Sequence, residues 1–68
     1  VKGKYLVTID IYDETEEKHI EKRKKIFSEK LVEKYTKYFL EDMEDMVIEE
    51  FPRKHKYRFD VMKEQIVQ

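Results

Sequence analysis

Two stretches of this chain alternate apolar and polar residues with a period of two. Tyr5, Val7, Ile9 and Ile11 alternate with Lys4, Leu6, Thr8, Asp10 and Tyr12. That spacing predicts a strand over 4–12 whose first set faces a core. Leu6 and Tyr12 mark the second face as partly covered too. Near the other end, His55, Tyr57, Phe59 and Val61 alternate with Lys56, Arg58, Asp60 and Met62. This predicts a second strand over 55–62, with the aromatic set in the core. The tail from Lys63 to Gln68 fits a continuing strand, a third short strand or a frayed end.

Between the strands the chain has no Gly and no Pro from Glu14 to Phe51. Asp13 with Glu16 has the spacing of a helix-capping box, which predicts a helix start there. A single helix over these 38 residues would be roughly 57 Å long. A compact domain of this size has a radius of gyration near ~11 Å, so the helix is expected to break. Rotating each position by ~100° puts Ile20, Phe27, Leu31, Tyr35, Tyr38 and Phe39 on one stripe. Leu40, Met43, Val47 and Phe51 fall on another. The expectation is a helix over 14–40 and a second over 42–51, capped by Asp42 and separated near Glu41. Pro52 ends the helical region, because a residue before proline avoids the helical conformation.

The predicted fold class is therefore α+β. An N-terminal strand, two helices or one long kinked helix, and a C-terminal strand form a single domain over 1–68. Two strands make a marginal sheet, and their free edges invite pairing. A homodimer, with a sheet running across two subunits, is the expected remedy.

Composition strengthens that expectation. A chain of 68 residues buries only about 60% of its unfolded surface. The sequence has no Cys, so neither disulfides nor thiolate metal sites can supply stability. A reducing, cytoplasmic setting fits that absence. No apolar run approaches the ~18 residues of a membrane span, so no membrane partner is expected. Nor is there a signal-peptide pattern, though a chain that opens on Val1 gives that little weight. Lys outnumbers Arg and Gly, Ala and Pro are scarce. AT-rich coding explains this bias, and heat adaptation is the rival explanation.

The net charge of −1 hides a segregation. Residues 18 to 37 carry eight basic and three acidic side chains, whereas residues 41 to 50 carry six acidic and no basic ones. Arg53, Lys54, Lys56 and Arg58 then restore positive charge. The run Lys22, Arg23, Lys24 and Lys25 reads as a solvated helix face, supported by i,i+4 pairs of Glu21 with Lys25 and Glu33 with Lys37. Its sharper reading is a phosphate-contacting patch with Lys18, Lys30 and the basic strand. The acidic block Glu41, Asp42, Glu44, Asp45, Glu49 and Glu50 reads as a solvent face or as a surface that meets a basic partner.

Chemistry-bearing patterns are sparse. Glu16 and His19 have a Glu-x-x-His spacing that di-metal bundles use twice, with further carboxylates; here it occurs once. His55 lies beside basic residues, which repel a cation. Asp10 and Asp13 read as a strand aspartate and a cap. Ser28 is the only Ser, and no Gly-rich loop is available for phosphate. No catalytic residues, cofactor or metal are expected, and the chain does not read as an enzyme.

The function expected from sequence is a small non-enzymatic interaction or regulatory module. It would bind a host or partner protein through charged helices or a sheet edge. Size and composition suit a phage or mobile-element product. The alternative is nucleic-acid binding through Lys18, Lys22, Arg23, Lys24, Lys25, Arg53, Lys54, Lys56 and Arg58.

Overall fold

The computed structural model describes residues 3–66, and they form three strands and one helix: β1 (Lys4–Asp13), β2 (Lys18–Ser28), α1 (Val32–Glu50) and β3 (Tyr57–Ile66). The fold class is α+β. β1 forms as its period of two dictates. It is the central strand of an antiparallel sheet of order β2-β1-β3. Tyr5, Val7, Ile9 and Ile11 turn toward the helix, and the last three are fully buried.

Of the predicted helix over 14–40, only residues 32–40 are helical, as the first half of α1. Residues 14–17 are a turn, and the stretch that follows is β2, a hairpin partner of β1 from Asp13↔Lys18 to Lys4↔Ser28. Asp13 does gather backbone amides as a cap would. Its Oδ1 accepts from the N–H of Thr15 at 3.0 Å and of Glu16 at 3.1 Å. Those bonds close an Asx turn rather than open a helix. Glu17 completes the reversal in the left-handed region at φ 55°, which is uncommon for a residue with a side chain. Tyr12 pairs with His19 while Ile11 pairs with Glu21, so Ile20 is the extra residue of a β-bulge. The Glu21–Lys25 helical pair therefore does not exist.

The break near Glu41 and the separate helix over 42–51 are also corrected. α1 is one helix of 19 residues. Its buried positions Val32, Thr36, Phe39, Met43 and Val47 form a single continuous stripe. The apparent change of phase came from counting Leu31, Tyr35 and Tyr38, which are exposed, as core, together with Ile20 and Phe27, which are strand residues. Asp42 lies in mid-helix and caps nothing. Pro52 acts as expected: Phe51 before it is extended at φ −126°, ψ 160°, and its N–H bonds back to the Val47 carbonyl.

β2 ends where β1 begins, and β3 starts where β1 ends. α1 therefore crosses the sheet from the Lys4 end to the Asp13 end. Its length, about 28 Å, matches strands of ten residues at about 3.3 Å each. The helix lies over β1 and β2 and makes no comparable contact with β3. β3 begins two residues later than the alternation predicts and continues to Ile66; Val67 and Gln68 lie outside the described residues. The thin two-stranded sheet expected from sequence is thus a three-stranded one. The face bearing Leu6 and Tyr12 has no covering layer among the described residues.

The core is small. Val7, Ile9, Ile11, Val32, Phe39, Met43 and Val47 are its buried apolar members. Tyr57 and Phe59 pack against it from β3, as their alternation implies, but Val61 is 37% exposed. Thr36 is buried within the stripe, and its hydroxyl has no hydrogen-bond partner.

Candidate functional site

Three groups of side chains carry the charge of this molecule, and the fold treats each differently. The first lies where the hairpin turn meets the segment between α1 and β3. Asp13 closes the inward face of β1 and is buried. Its Oδ1 is taken by the two turn amides, and its Oδ2 lies 2.7 Å from His55 Nδ1. An ionised carboxylate only accepts, so Nδ1 carries the proton of that bond. His55 Nε2 lies 4.0 Å from Glu16 Oε2. Two backbone bonds reinforce the junction: Glu14 N–H to the Lys56 carbonyl at 2.8 Å, and Lys56 N–H to Thr15 Oγ1 at 2.9 Å.

These contacts set the local acidities. Burial alone pushes the Asp13 carboxyl up, but the His55 bond and the Glu16 and Thr15 amides outweigh it and hold its pKa below 3.8. Burial, with the charges of Asp13 and Glu16, pushes the Tyr57 phenol up. That phenol donates to the Pro52 carbonyl at 2.6 Å. The hydrogen bond to Glu16, at 3.0 Å, raises the Lys18 ammonium.

Asp13, Glu16 and His55 bring three potential metal donors within 4.8 Å of one another. Each is already engaged: Asp13 by two amides and His55, and Glu16 by Lys18. Chemically the cluster is a clasp. It fixes the α1–β3 connection onto the hairpin turn, which aims β3 at the free edge of β1. The expected Glu16–His19 face does not form, because Glu16 is in the turn and His19 bonds Asp10 at 3.0 Å. Nothing in the sequence joins Asp13 to His55, which are 42 positions apart.

The second group is the basic set, which the strand pairing disperses. Lys22 and Lys24 face the uncovered side of the sheet, opposite Asp10 and Thr8. Arg23 and Lys25 face the helix. The Arg23 guanidinium meets Glu21 at 3.3 Å and Met46 Sδ at 3.6 Å, and Lys25 Nζ lies 5.1 Å from the Phe39 ring centre. Arg53, Lys54 and Lys56 belong to the connection after α1, at the Asp13 end. Arg58 lies on the uncovered face, 4.6 Å over the Tyr12 ring, and contacts Glu14 and Asp60. Asp10, Glu21, Asp60 and Glu64 are interleaved with these cations on the sheet.

The third group stays together. Glu41, Asp42, Glu44, Asp45, Glu49 and Glu50 are all exposed on the C-terminal part of α1. None takes part in an ion pair among the described residues. The last turn holds no basic residue to offset them. By contrast, Glu33 in the first turn reaches Lys63 at 3.5 Å instead of its expected helical partner Lys37.

No protein-family model matches the chain, and neither a curated protein nor a solved structure matches it. No helix of the described residues is long and apolar enough to cross a membrane.

Proposed function

We propose that this chain is a non-enzymatic protein-binding module that presents the outer face of α1 to a cationic surface of its partner. One observation carries this reading: six exposed carboxylates without ion-pair partners among the described residues, concentrated where the helix dipole is negative. Glu41 with Asp45 and Asp45 with Glu49 are like-charge i,i+4 pairs, each costing about 0.2–0.5 kcal/mol. Glu49 and Glu50 oppose the helix dipole at about 0.3–1 kcal/mol each. In a domain with so small a core, a surface that opposes folding in this way is best understood by what it binds. A basic partner surface removes both the mutual repulsion and the dipole conflict on contact. The small, charged chain suits a phage or mobile-element product that acts on a host protein.

Capture from a native lysate tests the reading, with wild type compared with a Glu41→Lys, Asp45→Lys, Glu49→Lys variant. A protein retained by wild type in a salt-sensitive manner, and lost with the variant, is the expected result. Equal capture by both removes α1 as the binding face. Titration with random duplex DNA and single-stranded RNA at low salt provides the second arm. Tight binding there that collapses on reversing Lys22 and Lys24 would replace protein binding with nucleic-acid binding.

A further inference from the structure

The sheet has two free edges, and they are built differently. β2 bears Lys18, Lys22, Arg23, Lys24 and Lys25 and is kinked by the Ile20 bulge. Charge and bulges are the devices by which proteins prevent edge pairing. Self-pairing of β2 about Arg23 would set Arg23 against its own copy and Lys22 against Lys24. Pairing about Lys22 would oppose two Lys22 side chains. β3 has no bulge, and its four charges, Arg58, Asp60, Lys63 and Glu64, are balanced in sign: it pairs with β1 over ten residues without a register shift. It contains no Pro, and the backbone of α1 lies over β1 and β2, reaching β3 through side chains such as Glu33, 3.5 Å from Lys63.

We propose that the β3 edge pairs antiparallel with β3 of a second copy of this chain, in a register centred on Val61. The two-fold axis then stands perpendicular to a six-stranded sheet, with both helices on one side. Charge favours this register over its two neighbours. Centred on Val61, Arg58 lies opposite Glu64 of the second copy, twice by symmetry. Asp60 lies opposite Met62, and the pairing spans residues 57 to 65. Moving the centre to Asp60 sets Asp60 against itself. Moving it to Met62 sets Asp60 against Glu64 twice. Like charges directly opposed across a pair are destabilising, and opposite ones contribute roughly 0.2–1 kcal/mol.

The monomer shows what this contact supplies. Val61, at the axis, is 37% exposed although its alternation points it to the core side. Glu64 makes no ion pair among the described residues. The radius of gyration is 13.5 Å, against about 11 Å for a compact chain of this length. The molecule is a slab of 45 × 19 × 13 Å with little interior of its own. This inference concerns a different surface from the α1 reading and stands without it.

Purified chain tests it. Light scattering at high micromolar concentration is expected to give twice the 8.5 kDa chain mass. Glu64→Arg is expected to halve that mass, and adding Arg58→Glu to the same chain is expected to restore it, with circular dichroism checking the fold of each. Because Arg58 also contacts its own hairpin, a second measurement avoids it. The chain has no Cys, so Val61→Cys places one thiol beside the axis. A short bis-maleimide is expected to join two such chains readily and Lys63→Cys chains poorly. A monomeric wild type at that concentration overturns the proposal. So does a dimer whose mass ignores Glu64→Arg, or one that cross-links better at 63 than at 61.

Discussion

The covered and uncovered faces of the sheet are made by the same three strands, one residue apart along each. On β1, Val7, Ile9 and Ile11 reach zero exposure beneath α1, while Leu6, Thr8, Asp10 and Tyr12 stay half-buried on the other side. The covered side is closed by a layer of apolar side chains. The other side is closed only by long neighbours. Lys22 and Lys24 flank β1 from β2, and Asp60, Met62 and Glu64 flank it from β3. Their stems shield the central strand while their polar ends remain in water. The contrast teaches that partial burial on a central strand does not require a second layer.

The largest way to break this contrast is Phe39→Ala. Phe39 is the bulkiest fully buried residue, and truncation of such a ring costs about 3–5 kcal/mol. Small domains have total stabilities near the lower end of about 5–15 kcal/mol, so urea unfolding followed by circular dichroism should show a largely unfolded variant. A loss below about 1 kcal/mol would mean that α1 is not what seals the covered face.

An intermediate effect comes from the clasp at the Asp13 end. Its depressed pKa means Asp13 contributes stability that is fully present above its ordinary value of 3.8. That contribution is lost as pH falls through the lower folded value. Thermal melts should therefore lose Tm as pH falls below about 4. Asp13→Asn should flatten that limb while lowering Tm near neutrality. An unchanged acid limb in the variant would assign the transition to other carboxylates.

The smallest expected effect is Met62→Thr on the uncovered face. Met62 is 62% exposed, and surface changes of this kind stay within about 0.5 kcal/mol. A larger loss in urea unfolding would sharpen the comparison in the other direction, by revealing a layer over that face in solution.

Strands β1 and β3 and the end of α1 were legible because the relevant signals are local. Alternation sets the strands, and Pro52 stops the helix. The exposed acidic face was legible for the same reason. β2 was not, because its helix-facing set, Glu21, Arg23, Lys25 and Phe27, is polar except for Phe27 and so shows no apolar alternation. Lys22, Arg23, Lys24 and Lys25 adopt a strand because the backbone groups of β1 require partners, and side-chain pattern carries no trace of that demand. The hairpin turn was hidden as well. Glu17 takes the left-handed position that Gly or Asn normally announces. The partnership of Asp13 with His55 is tertiary and has no sequence signal. The single stripe of α1 was hidden too, because it runs through Val32 and Thr36 while the larger Leu31, Tyr35 and Tyr38 stay exposed.

The place of β1 in the sheet also governs how the chain reaches its fold. The β1–β2 hairpin closes across a short turn and can form early. The other side of β1 waits for β3, which lies 44 positions further on at the Asp13–Tyr57 pair and 62 at the Lys4–Ile66 pair. Distant pairings of this kind slow folding relative to a helical chain of equal length. In the interval β1 offers an unpaired row of amides and carbonyls beside Val7, Ile9 and Ile11, the conditions under which folding intermediates aggregate. The most vulnerable strand during synthesis is thus the one that ends as the best protected.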